Sequence, residues 1–292
     1  STRMGPDVRV AAVQPGLDNA TPGTLISAGN VTPGRSEDQR IDDQIAQLTA
    51  MTRDAAGQGA KVVVWPEETL NYDPRVSRTD WIPALVRQTG VYLAMGFTPD
   101  ATNGAAPNTG LLWSPQGEVK IVYYKTKRVV VEGEQFTPGS VYPTTDTPQG
   151  VLGMIICFDI DFPDGPARQV ARNGAQMIRA PSIDFASVAD IRAASTAFRA
   201  IENRVAMVKA DVAWDSVIVA PTGRVVANTA VHTDRGDQAL LVADVPLGPR
   251  GAPFTRFGGV PFQWLTYGAA LLLIGAMEVS WRLRRAAKRE AA

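Results

Sequence analysis

The chain has 292 residues, with 29 basic and 29 acidic side chains, one cysteine and one histidine. This length can build one large domain or two smaller ones. The formal net charge of zero gives no reason to expect a nucleic acid partner. A single cysteine excludes an internal disulfide, and one cysteine with one histidine excludes a clustered Cys/His zinc site. We therefore expect neither a metal ion nor another cofactor.

Short apolar runs recur along the chain and predict buried strands. The first, VRVAAVQP at residues 8–15, is followed by about twenty residues of turn chemistry, and a loop of that length is usually functional or disordered. A hairpin is predicted at residues 108–127, and two strands joined by a Pro-Thr-Gly turn at residues 204–229. The other predicted strands lie at residues 61–68, 91–99, 150–160, 177–182 and 239–247.

Helices are predicted between many of these strands. Ser36 and Gln39 have the spacing of a capping box, and Gly57 or Gly59 would end the helix that they begin. Further helices are predicted at residues 81–90, 164–176 and 189–204. Strands alternate with helices along nearly the whole chain, which is typical of an α/β protein with layered sheets.

The C-terminal part breaks this globular pattern. Residues 260–277 are almost entirely apolar and long enough to cross a bilayer. A buried core helix is the alternative on length alone. Trp264 and Tyr267 lie near one end and Trp281 near the other, as in an interfacial aromatic belt, and basic residues crowd positions 282–289. We therefore expect a transmembrane helix.

The basic flank also predicts an orientation. By the positive-inside rule the C-terminus is cytoplasmic, and everything before Val260 lies on the periplasmic or extracellular side. The printed sequence starts with Ser1 and shows no secretory signal. We expect export to depend on earlier membrane spans or on a signal that has been removed.

The only cysteine, Cys157, follows an apolar run and precedes a cluster of acids. A buried, inert cysteine is the plain interpretation, because free cysteine is among the most buried residue types. Its place where a predicted strand meets a loop is instead typical of reactive groups. A nucleophilic thiol needs a base or a nearby cation. A partnership with His232 is one option, and a carboxylate with a lysine is the other.

Two further strand ends carry suitable groups. Glu67 follows a strand and a Trp-Pro pair, where the proline stops the strand. Lys125 and Lys127 end another strand on one face, with Glu132 and Glu134 shortly after. Each feature alone is also compatible with solvated loop acids or with lysines on an edge strand. Three strand ends that carry Glu, Lys and Cys in this order are a more specific signal than any of these features alone.

This combination resembles the nitrilase superfamily, whose triad is a Glu, a Lys and a Cys in the same order at strand ends. The segments that carry the resemblance are WPE at 65–67, Tyr-x-Lys at 123–125, Gly-Glu at 133–134, CFDIDFP at 157–163 and ARNGAQMIRAPS at 171–182. The resemblance implies an α-β-β-α sandwich. It covers most of the chain, from the first predicted strand to RVVANT at 224–229.

The resemblance also implies the role of each site residue. Glu67 is the general base, Cys157 the nucleophile and Lys125 the cation that stabilises the tetrahedral oxyanion. Glu134 is a second acid that orients Lys125 or the incoming amine. Lys127 is the alternative lysine, and Lys125 is preferred because Tyr123 completes the family's Tyr-x-Lys.

Within the superfamily, the chain most resembles the apolipoprotein N-acyltransferase branch. FRAIENRVAMVKADVAWDS at 198–216 and PFTRFGGVPFQWL at 253–265 carry this likeness. It implies a catalytic domain followed by a last membrane helix. The corresponding segments are a nitrilase-like domain at 1–250, a linker at 251–259, a transmembrane helix at 260–281 and a basic cytoplasmic tail at 282–292.

The branch implies transfer of a fatty acyl chain through a cysteine thioester. Its donor is a phospholipid, its acceptor is the N-terminal amine of a diacylglyceryl lipoprotein, and both partners lie in the membrane. Two alternatives stay open: a membrane-anchored amidase or nitrilase that uses water as the acceptor, and a catalytically inactive nitrilase-like binding module.

Overall fold

The computed structural model describes residues 3–16, 36–99, 106–130, 134–229 and 237–290. Within these residues the chain forms two six-stranded sheets that pack face to face, with helices on the outer face of each. The predicted α-β-β-α sandwich is therefore confirmed. Most of the predicted loop at residues 16–35 lies outside the described residues, as do Glu132 and His232.

The first sheet has the strand order β12-β1-β2-β3-β4-β5. Strands β1, β2 and β3 run parallel, and each remaining neighbour pairs antiparallel. Parallel neighbours need a crossover connection, which is why a helix separates each of these strands in sequence. The strands are β1 (Asp7–Gln14), β2 (Val62–Val64), β3 (Tyr92–Phe97), β4 (Thr109–Trp113), β5 (Val119–Tyr124) and β12 (Ala239–Pro246).

The second sheet repeats this plan in the order β11-β10-β9-β8-β7-β6. Its three central strands β7, β8 and β9 run parallel, and the outer ones pair antiparallel. The strands are β6 (Thr144–Thr147), β7 (Gly150–Met154), β8 (Met177–Ser182), β9 (Ala206–Asp211), β10 (Val217–Val219) and β11 (Val225–Asn228).

Six α-helices accompany the sheets in the described ranges. Helix α1 begins at the predicted capping box, in which Ser36 and Gln39 bond each other's backbone amides. The helices are α1 (Glu37–Gly57), α2 (Trp81–Thr89), α3 (Pro166–Arg172), α4 (Ala189–Asn203), α5 (Pro253–Phe257) and α6 (Val260–Glu290).

Three apolar layers hold the sandwich together. The central layer lies between the sheets, and an outer layer lies under each pair of helices. The two-residue period of β2 shows the division, because Val62 and Val64 face the central layer while Val63 faces α1 and α2. Burial of both sheet faces explains why these strands are continuous apolar runs rather than alternating ones.

Two strand predictions need correction. The predicted strand at residues 150–160 ends at Met154, because the backbone amide of Ile156 bonds the Asp159 side chain and the chain turns there. The segment at residues 204–229 holds three strands rather than two, and the Pro-Thr-Gly turn joins the second of them to the third.

Helix α6 differs from the others because its residues up to Arg284 are almost all exposed. Its segment Val260–Arg284 is long and apolar enough to cross a membrane, and none of the apolar window is buried against the rest of the protein. Large apolar side chains such as Phe262, Trp264 and Leu272 are about 70% or more exposed. This exposure excludes the alternative that residues 260–277 form a buried core helix.

The contact between α1 and the residue that follows β2 gives a test of the outer layer. Buried Trp65 donates its indole N–H to the Thr52 hydroxyl at 2.9 Å. Thr52→Val keeps the side-chain shape but leaves this buried donor unsatisfied, so we expect a loss of about 1–3 kcal/mol in unfolding free energy. Denaturant unfolding in mild detergent measures it.

Thr89→Val is the matched control, because the Thr89 hydroxyl donates to the Leu85 carbonyl within its own helix. An equal loss of stability in both variants would contradict the role given to the Trp65 bond.

Candidate active site

Glu67 is the third residue after the end of β2 and is completely buried. Its backbone amide bonds the carbonyl of Ser182 at the end of β8, which ties it to the second sheet. The neighbouring strand β3 passes so close that a Cβ at Gly96 would lie 2.8 Å from the Glu67 Cα. Glycine is therefore required at position 96 for the glutamate backbone to lie between the sheets.

Lys125 directly follows β5 and is 1% exposed. Its ammonium donates to Glu67 Oε1 at 2.9 Å and also to Glu134 Oε1. Asn108 donates to the same Glu67 oxygen at 2.7 Å. The structure thus brings three of the predicted site residues into one hydrogen-bonded group.

Lys127 takes no part in this group. Its ammonium lies 4.9 Å from the centre of the Phe162 ring, and its backbone amide bonds Asp159. Of the two lysines left open by the sequence, Lys125 is therefore the one in contact with the glutamates.

Cys157 begins a short 3₁₀ helix, Cys157–Asp161, just beyond β7 and is 2% exposed. Its φ of 44° places it in the left-handed region, which non-glycine residues rarely adopt. Such strain costs about 1–3 kcal/mol and is concentrated at functional sites. The turn is held by Asp159, whose carboxylate accepts the Tyr123 hydroxyl at 2.6 Å and the Thr126 hydroxyl at 2.8 Å.

Burial and neighbouring charges raise the pKa values of Cys157, Glu67 and Lys125. Burial raises the pKa of the Cys157 thiol well above its ordinary value, and the negative charge of Glu67 adds to this. Burial also raises the pKa of Glu67, although Lys125 opposes the shift. Burial lowers the pKa of Lys125, but the charges of Glu67, Cys157 and Glu134 outweigh it and raise that pKa. A lysine that stays charged beside a base of raised pKa suits proton transfer from a thiol.

A second group of buried charges also lies next to the sulfur. The Arg192 guanidinium of α4 places Nη1 3.0 Å from Cys157 Sγ and also bonds Asp184. The Lys209 ammonium lies 2.7 Å from a carboxylate oxygen of Asp184 and 3.1 Å from one of Asp211. Sequence reasoning did not find this group. The available signal was an arginine on the buried stripe of α4, with Thr196 and Ala200.

The two groups face one cavity of about 320 Å³. This volume is at the low end of small-molecule sites. Its lining combines a thiol and four ionisable side chains with three apolar residues: Cys157, Glu68, Lys125, Glu134, Arg192, Val129, Ile183 and Phe185. The cavity can therefore hold a small polar group against the sulfur, next to charges of both signs.

The family match agrees with this arrangement. The carbon-nitrogen hydrolase family matches residues 9–251. The chain belongs to this family, which is part of the nitrilase superfamily.

Two kinds of curated relative are similar to the chain. Apolipoprotein N-acyltransferase of Geobacter metallireducens is 25% identical over 275 residues, which cover 84% of this chain and 51% of the relative. The chain thus spans about half the length of that protein. Human omega-amidase NIT2 is 25% identical over 236 residues, which cover 70% of this chain and 83% of the relative.

Solved structures show the same fold. An amidase from Nesterenkonia sp. superposes with a TM-score of 0.64 at 20% identity, covering 84% of this chain and 92% of the amidase. A mutant of an amidase from the same genus, with acrylamide added at the active site cysteine, gives a TM-score of 0.63 at 22% identity, covering 82% of this chain and 93% of the mutant.

Glu68, at the edge of the cavity, gives a pH prediction. Burial first, and the charge of Glu67 second, raise its pKa from 4.5 to about 7. The folded chain therefore holds this proton more tightly than the unfolded chain, and the bound proton stabilises the folded state. This contribution to the free energy of unfolding is complete below pH 4.5 and is lost as pH rises to about 7. Between pH 5 and pH 8 the wild type should lose about 2–3 kcal/mol more stability than Glu68→Gln.

Denaturant midpoints at the two pH values measure this difference. Glu118→Gln, at an exposed position between β4 and β5, is the control and should follow wild type. A Glu68→Gln variant that loses as much stability as wild type would contradict the raised pKa.

Proposed function

We propose that this protein is an N-acyltransferase that moves a fatty acyl chain from phospholipid, through a thioester on Cys157, to the N-terminal amine of a diacylglyceryl lipoprotein. The observation that carries the proposal is a buried Glu67, Lys125 and Cys157 site in a chain that continues into an exposed apolar helix. Catalysis is assigned to Glu67, Lys125, Cys157 and Glu134.

In the first step the Cys157 sulfur attacks the ester carbonyl carbon of the phospholipid. Glu67 takes the thiol proton as the carbon–sulfur bond forms. Lys125, with backbone amides, stabilises the oxyanion. The carbon–oxygen bond then breaks, Glu67 returns the proton to the leaving alkoxide, and lysophospholipid departs from an acylated Cys157.

In the second step the acceptor amine attacks the thioester carbonyl. Glu67 accepts a proton from the amine, the carbon–nitrogen bond forms and the carbon–sulfur bond breaks. The proton then passes from Glu67 to the sulfur, which restores the thiol and releases the N-acylated product. Glu134 orients Lys125 through their shared hydrogen bond.

The exposed helix supports a membrane substrate. Both substrates lie in a bilayer, and α6 would hold the catalytic domain at its surface. The basic residues after position 281 favour a cytoplasmic C-terminus, with the domain on the periplasmic or extracellular side. The similarity to an apolipoprotein N-acyltransferase over 84% of the chain supports the same function.

A second candidate is a membrane-anchored amidase, in which an amide is the acyl donor and water is the acceptor. It is favoured by similarity to omega-amidases, 83% of whose length the chain spans, and by the small cavity. The same residues would perform both reactions, so the identity of donor and acceptor discriminates between them.

The proposal predicts an acyl adduct on Cys157. The purified chain is incubated with phospholipid vesicles, and intact mass is followed over time. A fatty acyl mass should be added to wild type, and a diacylglyceryl peptide should discharge it. Glu67→Gln should slow its formation by about 100-fold or more, because a general base contributes at least that factor.

Cys157→Ala is the control for the site of the adduct and should stay unmodified. No adduct from phospholipid, with turnover of simple amides, would replace the proposal with the amidase. No reaction with either donor would contradict both enzymatic functions for this chain.

A further inference from the structure

The charge balance around Lys125 leaves the Cys157 sulfur short of a cation. Lys125 already bonds two carboxylates, Glu67 and Glu134. When Glu67 has taken the thiol proton, the charges of Lys125 and Glu134 balance each other, and the anionic sulfur has no further cation in this group. Asp184 lies 3.7 Å from the sulfur and makes the balance worse. A buried anion needs a partner of opposite charge.

We propose that Arg192 is that partner. It is a further catalytic residue, which stabilises the negative charge of the Cys157 sulfur through its Nη1. The contact is 3.0 Å long, and the Arg192 side chain is 7% exposed. Little water therefore screens the charge, which strengthens its effect on the sulfur. The role rests on the proposed function in one respect only, namely that Cys157 is the nucleophile.

The surroundings hold the guanidinium in place with its Nη1 against the sulfur. Asp184 pairs with Arg192, but it also pairs with Lys209, so its single charge is divided between two cations. Asp161 lies 3.5 Å from the Arg192 Nε. The Phe158 ring lies 5.2 Å from the guanidinium carbon and restricts it from another side.

Arg192 would act at both ends of the reaction. In the first step it stabilises the sulfur as Glu67 takes the proton. In the second step it stabilises the sulfur as the carbon–sulfur bond breaks and the sulfur leaves with the electron pair. No bond forms to the guanidinium, and it releases no proton, because arginine stays protonated. The charged groups that face the sulfur are then Glu67, Lys125, Asp184 and Arg192, with Glu68 and Glu134 across the cavity.

The test uses alkylation of Cys157 by iodoacetamide, which requires neither phospholipid nor lipoprotein. Rate constants are measured by intact mass from pH 6 to pH 9 for wild type and four variants. Arg192→Met should react at least about tenfold more slowly than wild type at neutral pH, with its alkaline rise moved to higher pH. Arg192→Lys keeps the charge and should recover most of the rate.

Asp184→Asn changes the charge near the sulfur in the opposite direction from Arg192→Met. It removes a negative charge beside the sulfur but keeps a side-chain oxygen that accepts from Arg192, while Lys209 keeps Asp211 as a partner, so alkylation should be no slower than in wild type. Arg199→Met removes another buried arginine from α4 that does not line the cavity, and it should stay within about twofold of wild type.

Two outcomes overturn the proposal. One is an alkylation rate in Arg192→Met that lies within about twofold of wild type. The other is equal slowing in Asp184→Asn, Arg199→Met and Arg192→Met, which would reduce Arg192 to a structural role. Slow alkylation in Arg192→Met, together with no acyl adduct from phospholipid in wild type, would retain the role of Arg192 and reject the acyltransferase.

Discussion

The ion pair between Lys125 and Glu67 is the interaction on which the rest of the site depends. Both side chains are almost completely buried, so each would be a costly isolated charge without the other. Removing one partner of a buried pair typically costs about 3–5 kcal/mol. The pair therefore holds the segments that follow β2 and β5 together, and Asn108 and Glu134 add one hydrogen bond each to it.

The sulfur comes to this pair from the other sheet. Glu67 and Lys125 follow strands of the first sheet, whereas Cys157 follows β7 of the second. The bond from Tyr123 on β5 to Asp159 joins the two sheets beside the site. The reacting groups thus meet only when the sandwich has formed, and the strained backbone of Cys157 is held by contacts from both halves.

The features that sequence could predict are those with a local cause. The capping box of α1 needs only Ser36 and Gln39, and strand ends that deliver Glu67 and Lys125 follow from apolar runs. The polar strand β6 has no apolar run to indicate it. The early end of β7 depends on Asp159, whose carboxylate bonds both a nearby amide and the distant Tyr123. Arg192 lies 35 residues from Cys157, and its contact with the sulfur requires the packing of α4 on the second sheet.

Cys157 must be a reactive nucleophile, and not an inert core thiol, for any of this chemistry to occur. Because it is the only cysteine, its alkylation by iodoacetamide at neutral pH can be compared directly between the folded and the urea-unfolded chain. Although burial raises the pKa of the thiol, we expect faster reaction in the folded chain because Glu67 takes the proton during the attack, and loss of this advantage in Glu67→Gln. A folded chain that reacts more slowly than the unfolded one would contradict a catalytic Cys157, because burial alone would then determine the behaviour of the thiol.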